Sequence, residues 1–250
     1  MALGWFGFTI AQRTVFLIIG LMFGTLGGIT AQSYLREKRY LPAGSSGSAY
    51  STAEPRSEEN AKSVPPEKGI VLPPRSLPFT MAVFLGLLGF VWGNRPAFAL
   101  LSMILGGGLV LLSYVDLASY RLPNRITYPL LLVCAIGVIV VGLVESSPAA
   151  IGRAFLAGLA LVAVYFLQAF ISAGHGMGLG DVKLSGSIGL VLGYLSWTHL
   201  ILGTIAAYTL ALIIGVGLIL TRKITLKSFI PFGPFMALGA IIVLALPAFT

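Results

Sequence analysis

The chain has 250 residues, of which 57% are apolar and only 10% are charged, and its mean hydropathy is +0.95. A soluble domain carries about 25% charged residues, so this composition excludes a water-soluble globular protein and indicates a chain dissolved mostly in lipid. Cys134 is the single cysteine, so the chain can form no internal disulfide and has no CxxC motif for a structural zinc ion.

The first apolar run, about residues 14–34, predicts a transmembrane helix. Gly20, Gly24 and Gly28 fall four residues apart, which places small residues on one helix face where a second helix can approach closely. The run is long for a cleaved signal peptide and is preceded by one positive residue, so we expect the helix to be retained.

Residues 36–77 are the only long polar segment, and they hold five of the eight acidic residues. Ser, Gly, Pro and Glu occur there in mixed order, and residues 43–69 have neither helical nor strand periodicity. We therefore predict a mostly disordered loop that acts as a solvated linker. The alternative is a docking segment for a partner protein.

From residue 78 onward, apolar runs broken by short turn and charge signals predict seven more helices. They are expected at about 78–93, 96–115, 127–145, 153–173, 182–197, 199–220 and 230–249. The predicted fold is all-α, a polytopic membrane protein with about eight transmembrane helices and one long cytoplasmic loop. Its predicted divisions are residues 1–35 (first helix and short extracytoplasmic amino terminus), 36–77 (loop) and 78–250 (seven-helix domain).

The positive charges are distributed unequally between the two sides of this predicted topology. Thirteen of the 16 Lys and Arg residues fall on the side of the 36–77 loop, and Arg13, Arg95 and Arg153 fall on the other. The positive-inside rule therefore places the loop side in the cytoplasm and both termini outside. This distribution explains the net charge of +8 without nucleic acid, so no nucleic-acid partner is expected.

Asp116 and Asp181 are the only two aspartates, and each lies at a cytoplasmic end of a predicted span. An ionised carboxylate costs roughly 2.5–3.5 kcal/mol at the bilayer centre and less near its surface, so intramembrane carboxylates usually have a function. The structural alternative is that each aspartate caps a helix or pairs with a nearby base, Arg121 or Lys183. Two carboxylates at the same depth and on the same side favour a shared site.

Two carboxylates in one site cannot both ionise easily, so one keeps a proton while the other acts as a base. That asymmetry suits peptide hydrolysis, in which the base takes a proton from water and the acid polarises the scissile carbonyl. Gly176, Gly178 and Gly180 precede Asp181. Because glycine has no Cβ, a substrate backbone could pass close by, or the loop could adopt positive φ.

Three segments resemble the type IV prepilin leader peptidase family of GxGD membrane aspartic proteases. In chain order they are Tyr114-Val115-Asp116 followed by Arg121-Leu122-Pro123-Asn124, Gly178-Leu179-Gly180-Asp181-Val182-Lys183-Leu184, and Ile230-Pro231-Phe232-Gly233-Pro234-Phe235-Met236-Ala237-Leu238-Gly239. They occur in the family's order and extend over roughly residues 100–239.

The resemblance implies an endopeptidase that removes the short basic leader from prepilins or pilin-like secretion and competence subunits. It implies that Asp116 and Asp181 are the catalytic pair and that Gly178, Gly180 and Lys183 belong to the motif beside the substrate. Cleavage would occur at the cytoplasmic face of a bacterial inner or plasma membrane. The expected partners are prepilin or pseudopilin substrates and membrane lipid.

One departure from the family pattern bears on cofactors. Many members have two CxxC pairs in the first cytoplasmic loop and methylate the new amino terminus with S-adenosylmethionine. Here the 36–77 loop has no cysteine, which argues against the methyltransferase activity and against zinc, and leaves the peptidase unaffected. We therefore expect no cofactor and no metal ion.

Other interpretations remain open at this stage. The two aspartates could bind protons or cations in a secondary transporter, although such proteins usually place them near the midplane of repeated halves. A presenilin-type GxGD protease is a third possibility, disfavoured by the segments around Asp116 and Pro231. Lys183 would either stabilise the aspartate pair, hold its loop or anchor the helix at the cytoplasmic surface, and His175 would tune the pair or have no function.

Overall fold

The computed structural model describes residues 2–37, 76–119, 122–171, 178–221 and 231–246. Within these ranges the regular secondary structure is helical throughout, which confirms the predicted all-α fold and its eight helices. The helices are α1 (Ala2–Glu37), α2 (Ser76–Trp92), α3 (Pro96–Ser119), α4 (Asn124–Val144), α5 (Pro148–Ile171), α6 (Leu179–Leu195), α7 (Trp197–Leu220) and α8 (Gly233–Ala245). Most of the predicted 36–77 loop, together with His175, lies outside the described residues.

Five helices are long and apolar enough to cross a bilayer, so the chain is a multi-pass membrane protein. These five are α1, α3, α4, α5 and α7. The other three are shorter, with 17 residues in α2, 17 in α6 and 13 in α8. Nearly every residue of α6 is buried, because α6 packs between its neighbours α4 and α5.

Consecutive helices run antiparallel, so the helix termini lie at the two opposite ends of the bundle. We call the level where α3 ends and α4, α6 and α8 begin the site end, and the opposite level the distal end. At the distal end Arg95 pairs with Glu145, and the Tyr194 hydroxyl also donates to that carboxylate at 2.7 Å. There the Arg153 guanidinium donates to the Gly193 and Leu195 carbonyls, both at 2.9 Å, and so satisfies the end of α6.

The glycine stripe of α1 faces α2, as its spacing predicts. A Cβ added to Gly20, Gly24 or Gly28 would come within 2.4 Å of the α2 backbone, at Leu85, Ala82 and Pro78 respectively. Glycine at these three positions therefore allows backbone-to-backbone contact between the two helices.

Three predicted helix boundaries were wrong in a way that matters for the site. Hydropathy places the end of α3 near residue 115 and the starts of α4 and α6 near 127 and 182. The helices instead end at Ser119 and begin at Asn124 and Leu179. Backbone hydrogen bonding continues beyond the lipid-facing residues, which hydropathy alone does not detect. As a result Asp116 and Asp181 both lie inside helices and not in the connecting segments.

Candidate active site

Asp116 lies in the last turn of α3, is 5% exposed, and points towards the start of α8. Its Oδ2 atom accepts a hydrogen bond of 3.1 Å from the backbone N–H of Gly233. A negative charge near the carboxyl end of a helix is disfavoured by the helix dipole. The amino-terminal end of α8 offsets this cost, because its dipole and its free N–H both favour an anion.

Asp181 is the third residue of α6 and is 6% exposed. The N–H of Asp181 donates to the Gly178 carbonyl at 3.1 Å. Gly178 is the N-cap of α6, so Asp181 lies in the first turn of the helix, where the helix dipole favours a carboxylate. Asp181 thus suits the start of its helix and at the same time lines the cleft described next.

Asp116 and Asp181 line one open cleft of about 260 Å³ at the site end. The remaining lining residues are Leu122, Asn124, Gly178, Leu179, Gly180, Lys183, Pro231 and Phe232. The two carboxyl groups are near enough for a direct charge–charge interaction. Residues that are 65 positions apart in sequence therefore face the same space.

Lys183 lines the cleft but its amine is directed towards α4. The Nζ atom donates to Asn124 Oδ1 at 2.7 Å and lies 4.9 Å from the centre of the Tyr128 ring. Among the described residues no ion pair joins Lys183 to Asp181. The contacts of Lys183 thus hold the first turn of α6 against the first turn of α4.

Gly178 and Gly180 have different environments although the motif treats them alike. Gly178 has extended backbone angles, φ −76° and ψ 147°, and a Cβ there would meet no atom nearer than Asp181 Oδ2 at 3.8 Å. At Gly180 a Cβ would lie 2.7 Å from the Cβ of Leu122. Gly180 therefore allows close packing against Leu122, and neither glycine has the positive φ that the sequence left open.

An aromatic cluster supports the α8 side of the cleft. The ring of Phe232 lies 5.2 Å from that of Tyr208 and 6.1 Å from that of Tyr165, measured between centroids. Tyr208 belongs to α7 and Tyr165 to α5, so this cluster fixes the start of α8 against two other helices. Tyr208 also donates a hydrogen bond to Gln168 Oε1 at 2.5 Å.

Sequence reasoning missed Phe232, Gly233 and Leu122 as individual residues of this site. It matched the segments that contain them but assigned a role to none of them. The signal was the order of small and ring residues in Pro231-Phe232-Gly233-Pro234, which marks a helix start. Its contact with Asp116 spans 117 positions and has no local signature.

The described residues contain no group of three or more His, Cys, Asp and Glu side chains suited to a metal ion. The described part of the cleft offers two carboxyl groups, the side chains of Asn124 and Lys183, and the backbone N–H of Gly233. Such a set can perform general acid–base catalysis on a polar bond brought into the cleft.

Comparison with known proteins finds similarity over part of the chain. Residues 103–216 match the model of the type IV leader peptidase family. The chain is 34% identical over 154 residues to the prepilin leader peptidase/N-methyltransferase of Aeromonas salmonicida and 33% identical over 154 residues to that of Aeromonas hydrophila. It is 32% identical over 158 residues to the protein of the same name from Pseudomonas aeruginosa.

These alignments cover 61–62% of this chain and 50–51% of each relative. The aligned part of the chain thus spans about half the length of the curated relatives it matches. No solved structure matches the chain. The family resemblance expected from the three sequence segments is confirmed.

Proposed function

We propose, from the match of residues 103–216 to the type IV leader peptidase family and from the geometry of the site, that the protein is a membrane-embedded aspartic endopeptidase. It removes the leader peptide from prepilins or from related pilin-like subunits. The observation that carries this proposal is the cleft shared by Asp116 and Asp181, in which the Asp116 carboxyl group also accepts the backbone N–H of Gly233 at the start of α8.

The proposed chemistry follows from one proton shared by two carboxyl groups. The ionised carboxylate takes a proton from a water molecule, whose oxygen attacks the carbonyl carbon of the scissile peptide bond. The protonated carboxyl group donates to the carbonyl oxygen, and a tetrahedral intermediate forms. Its collapse breaks the carbon–nitrogen bond, the leaving amine takes the proton of the pair, and one hydroxyl of the intermediate returns its proton to the pair. The carboxyl product, the amine product and a pair that again holds one proton remain.

The membrane side of this reaction is proposed to be the cytoplasm. Arg125 and Lys183 lie at the site end, and most of the remaining positive charge of the sequence belongs to segments on that side. The distal arginines Arg95 and Arg153 are engaged by Glu145 and by the carbonyls of α6, so they are satisfied within the protein. This distribution supports a cytoplasmic site end in a bacterial inner membrane.

The proposal includes proteolysis and excludes amino-terminal methylation. The relatives are named for both activities, but the 36–77 segment of this chain has no cysteine and so none of the CxxC pairs expected of a methylating member. We propose that the chain works without S-adenosylmethionine, zinc or another cofactor.

The test is cleavage of a prepilin by the purified protein in lipid vesicles, followed by mass spectrometry of both products. We expect a free leader peptide and a mature chain with an unmethylated amino terminus. The Gly217→Ala variant serves as a substitution control that should cleave like the wild-type protein, because nothing lies within 4 Å of the added methyl group. An intact prepilin combined with ion uptake into the same vesicles would replace the proposal with the transporter alternative.

A further inference from the structure

The first turn of α8 directs a backbone donor at Asp116. A helix begins with N–H groups that have no partner inside the helix. Here Pro234 has no N–H, and the N–H of Phe235 is bonded to the Phe232 carbonyl at 3.0 Å. The N–H of Gly233 has no partner within the helix and donates to Asp116 Oδ2 at 3.1 Å.

The space between Gly233 and Asp116 admits no side chain. A Cβ built on Gly233 would lie 2.6 Å from Oδ2 of Asp116 and 3.3 Å from its Cγ. The obstructing atoms belong to the carboxyl group itself, so any substitution must displace that group or the start of α8. By contrast, a Cβ built on Gly178, the N-cap of the helix that carries Asp181, would lie no closer than 3.8 Å to the Asp181 carboxyl group.

The donor also has a fixed position. Phe232, the residue before Gly233, packs its ring against Tyr208, Tyr165 and Phe235, at centroid distances of 5.2, 6.1 and 6.4 Å. These contacts bind the start of α8 to α5 and α7. The Gly233 N–H is therefore attached to a packed scaffold and not to a free chain segment.

We propose that Gly233 is a positioning residue of the active site, which sets the orientation of the Asp116 carboxyl through its N–H and through its lack of a side chain. The inference rests on the proposed peptidase function. Asp116 thus lies against the start of α8, while Asp181 lies in the first turn of α6.

The kinetic test is Gly233→Ala, assayed for prepilin cleavage in vesicles. We expect kcat to fall about 100-fold, because a misplacement of the order of 1 Å in a catalytic group has that effect. KM should change less than threefold, since no substrate contact is removed. The pH dependence of kcat should also change, because the carboxyl group moves away from its donor.

Two glycine variants serve as controls. Gly24→Ala creates equal crowding at the α1–α2 contact, with the added methyl 2.4 Å from Ala82, but far from Asp116 in the chain and in the bundle. Gly217→Ala adds a methyl in open space. Both should keep kcat within about twofold and leave its pH dependence unchanged. A Gly233→Ala enzyme with the kcat and pH profile of the Gly217→Ala enzyme would overturn the inference.

A second measurement does not depend on catalysis. Asp116→Ala removes Oδ2 and Cγ of Asp116, which would lie 2.6 and 3.3 Å from a Cβ on Gly233. The nearest remaining atom is then Cβ of residue 116, at 3.5 Å from that Cβ. Gly233→Ala should therefore lower the melting temperature by roughly 3–10 °C in the wild-type background and by less than about 1 °C in the Asp116→Ala background. Equal losses in both backgrounds would contradict the inference, whereas failure of the wild-type protein to cleave prepilin would contradict the proposed function.

Discussion

Lys183 donates a hydrogen bond to Asn124 at 2.7 Å and thereby joins the first turns of α6 and α4. Its position two residues after Asp181 in the sequence invites an ion pair with that aspartate. Side chains two residues apart on a helix point to different faces, however, so the amine of Lys183 faces α4. The cleft between Asp116 and Asp181 is therefore held together by a contact that neither aspartate makes.

The Lys183–Asn124 contact predicts a coupled loss of stability. Lys183→Met and Asn124→Ala should each lower the melting temperature slightly, and the double variant should lose no more than the larger single loss. The coupling free energy should be about 0.5–1 kcal/mol, because the hydrogen bond is charge-assisted but exposed to solvent. Additive losses would mean that the two side chains act independently. The measurement is a double-mutant cycle of thermal unfolding in detergent or nanodiscs.

The two motif glycines should respond differently to alanine. Gly180→Ala should lower the melting temperature, because its methyl would lie 2.7 Å from the Cβ of Leu122. Gly178→Ala should lower the melting temperature less, since φ −76° and ψ 147° suit alanine and the nearest atom is 3.8 Å away, so that only the poorer N-cap propensity of alanine counts against it. We also expect Gly178→Ala to raise KM for the prepilin, because the methyl group would enter the cleft. Equal thermal losses in the two variants would contradict this assignment.

The fold was predictable from the sequence to the extent that apolar runs report burial in lipid. The glycine spacing in α1 also predicted a tight helix contact, although it could not show that α2 is the partner. The helix ends were harder to predict, because Asp116 and Asp181 are polar residues within helices whose hydrogen bonding continues beyond the apolar run. The misplaced start of α6 hid the helical geometry that turns Lys183 away from Asp181.

The sequence predicted the two aspartates of the site but not the contacts that position them. Asp116 and Asp181 stand out because the sequence uses aspartate only twice. The Gly233 N–H reaches Asp116 across 117 positions, and the ring of Phe232 depends on helices α5 and α7 for its place. Such contacts follow from how the helices pack in three dimensions, and no local pattern encodes them.

The α1–α2 contact predicts opposite results at two neighbouring glycines. Gly24→Ala should destabilise the protein by roughly 1–3 kcal/mol, because its methyl would lie 2.4 Å from the Cα of Ala82 in α2. Gly27→Ala is the matched control on the same helix, with nothing within 4 Å of the added methyl. It should leave stability unchanged or raise it slightly, since alanine favours a helix over glycine. Thermal unfolding of both variants decides this, and similar losses would refute the assigned contact.

The Arg95–Glu145 pair predicts a pH-dependent stability at the distal end. Glu145 lies just beyond the α4 span, and although burial raises its pKa, hydrogen bonds from Arg95 and Tyr194 outweigh this and lower the pKa below its usual 4.5. A lowered folded-state pKa gives a contribution that is complete above about pH 4.5 and is lost as the pH falls below it.

Glu145→Gln should therefore be less stable than the wild-type protein at pH 7 and approach it in stability as the pH falls towards 3. Its kcat for prepilin should stay within about twofold of the wild-type value, because Glu145 lies at the opposite end of the bundle from the cleft. Melting temperatures measured across this pH range test the prediction. A constant difference between the two proteins at every pH would show that the Glu145 charge does not contribute.

The central claim is that Asp116 and Asp181 act as one catalytic unit, and the rate of leader release by three variants tests it most directly. Asp116→Asn and Asp181→Asn should each reduce kcat by about 10²–10⁴-fold, and the double variant should lose no more than the more damaged single variant, because members of one catalytic unit are not additive. Cleavage at the wild-type rate by either single variant, with the product identified by mass spectrometry, would contradict the account.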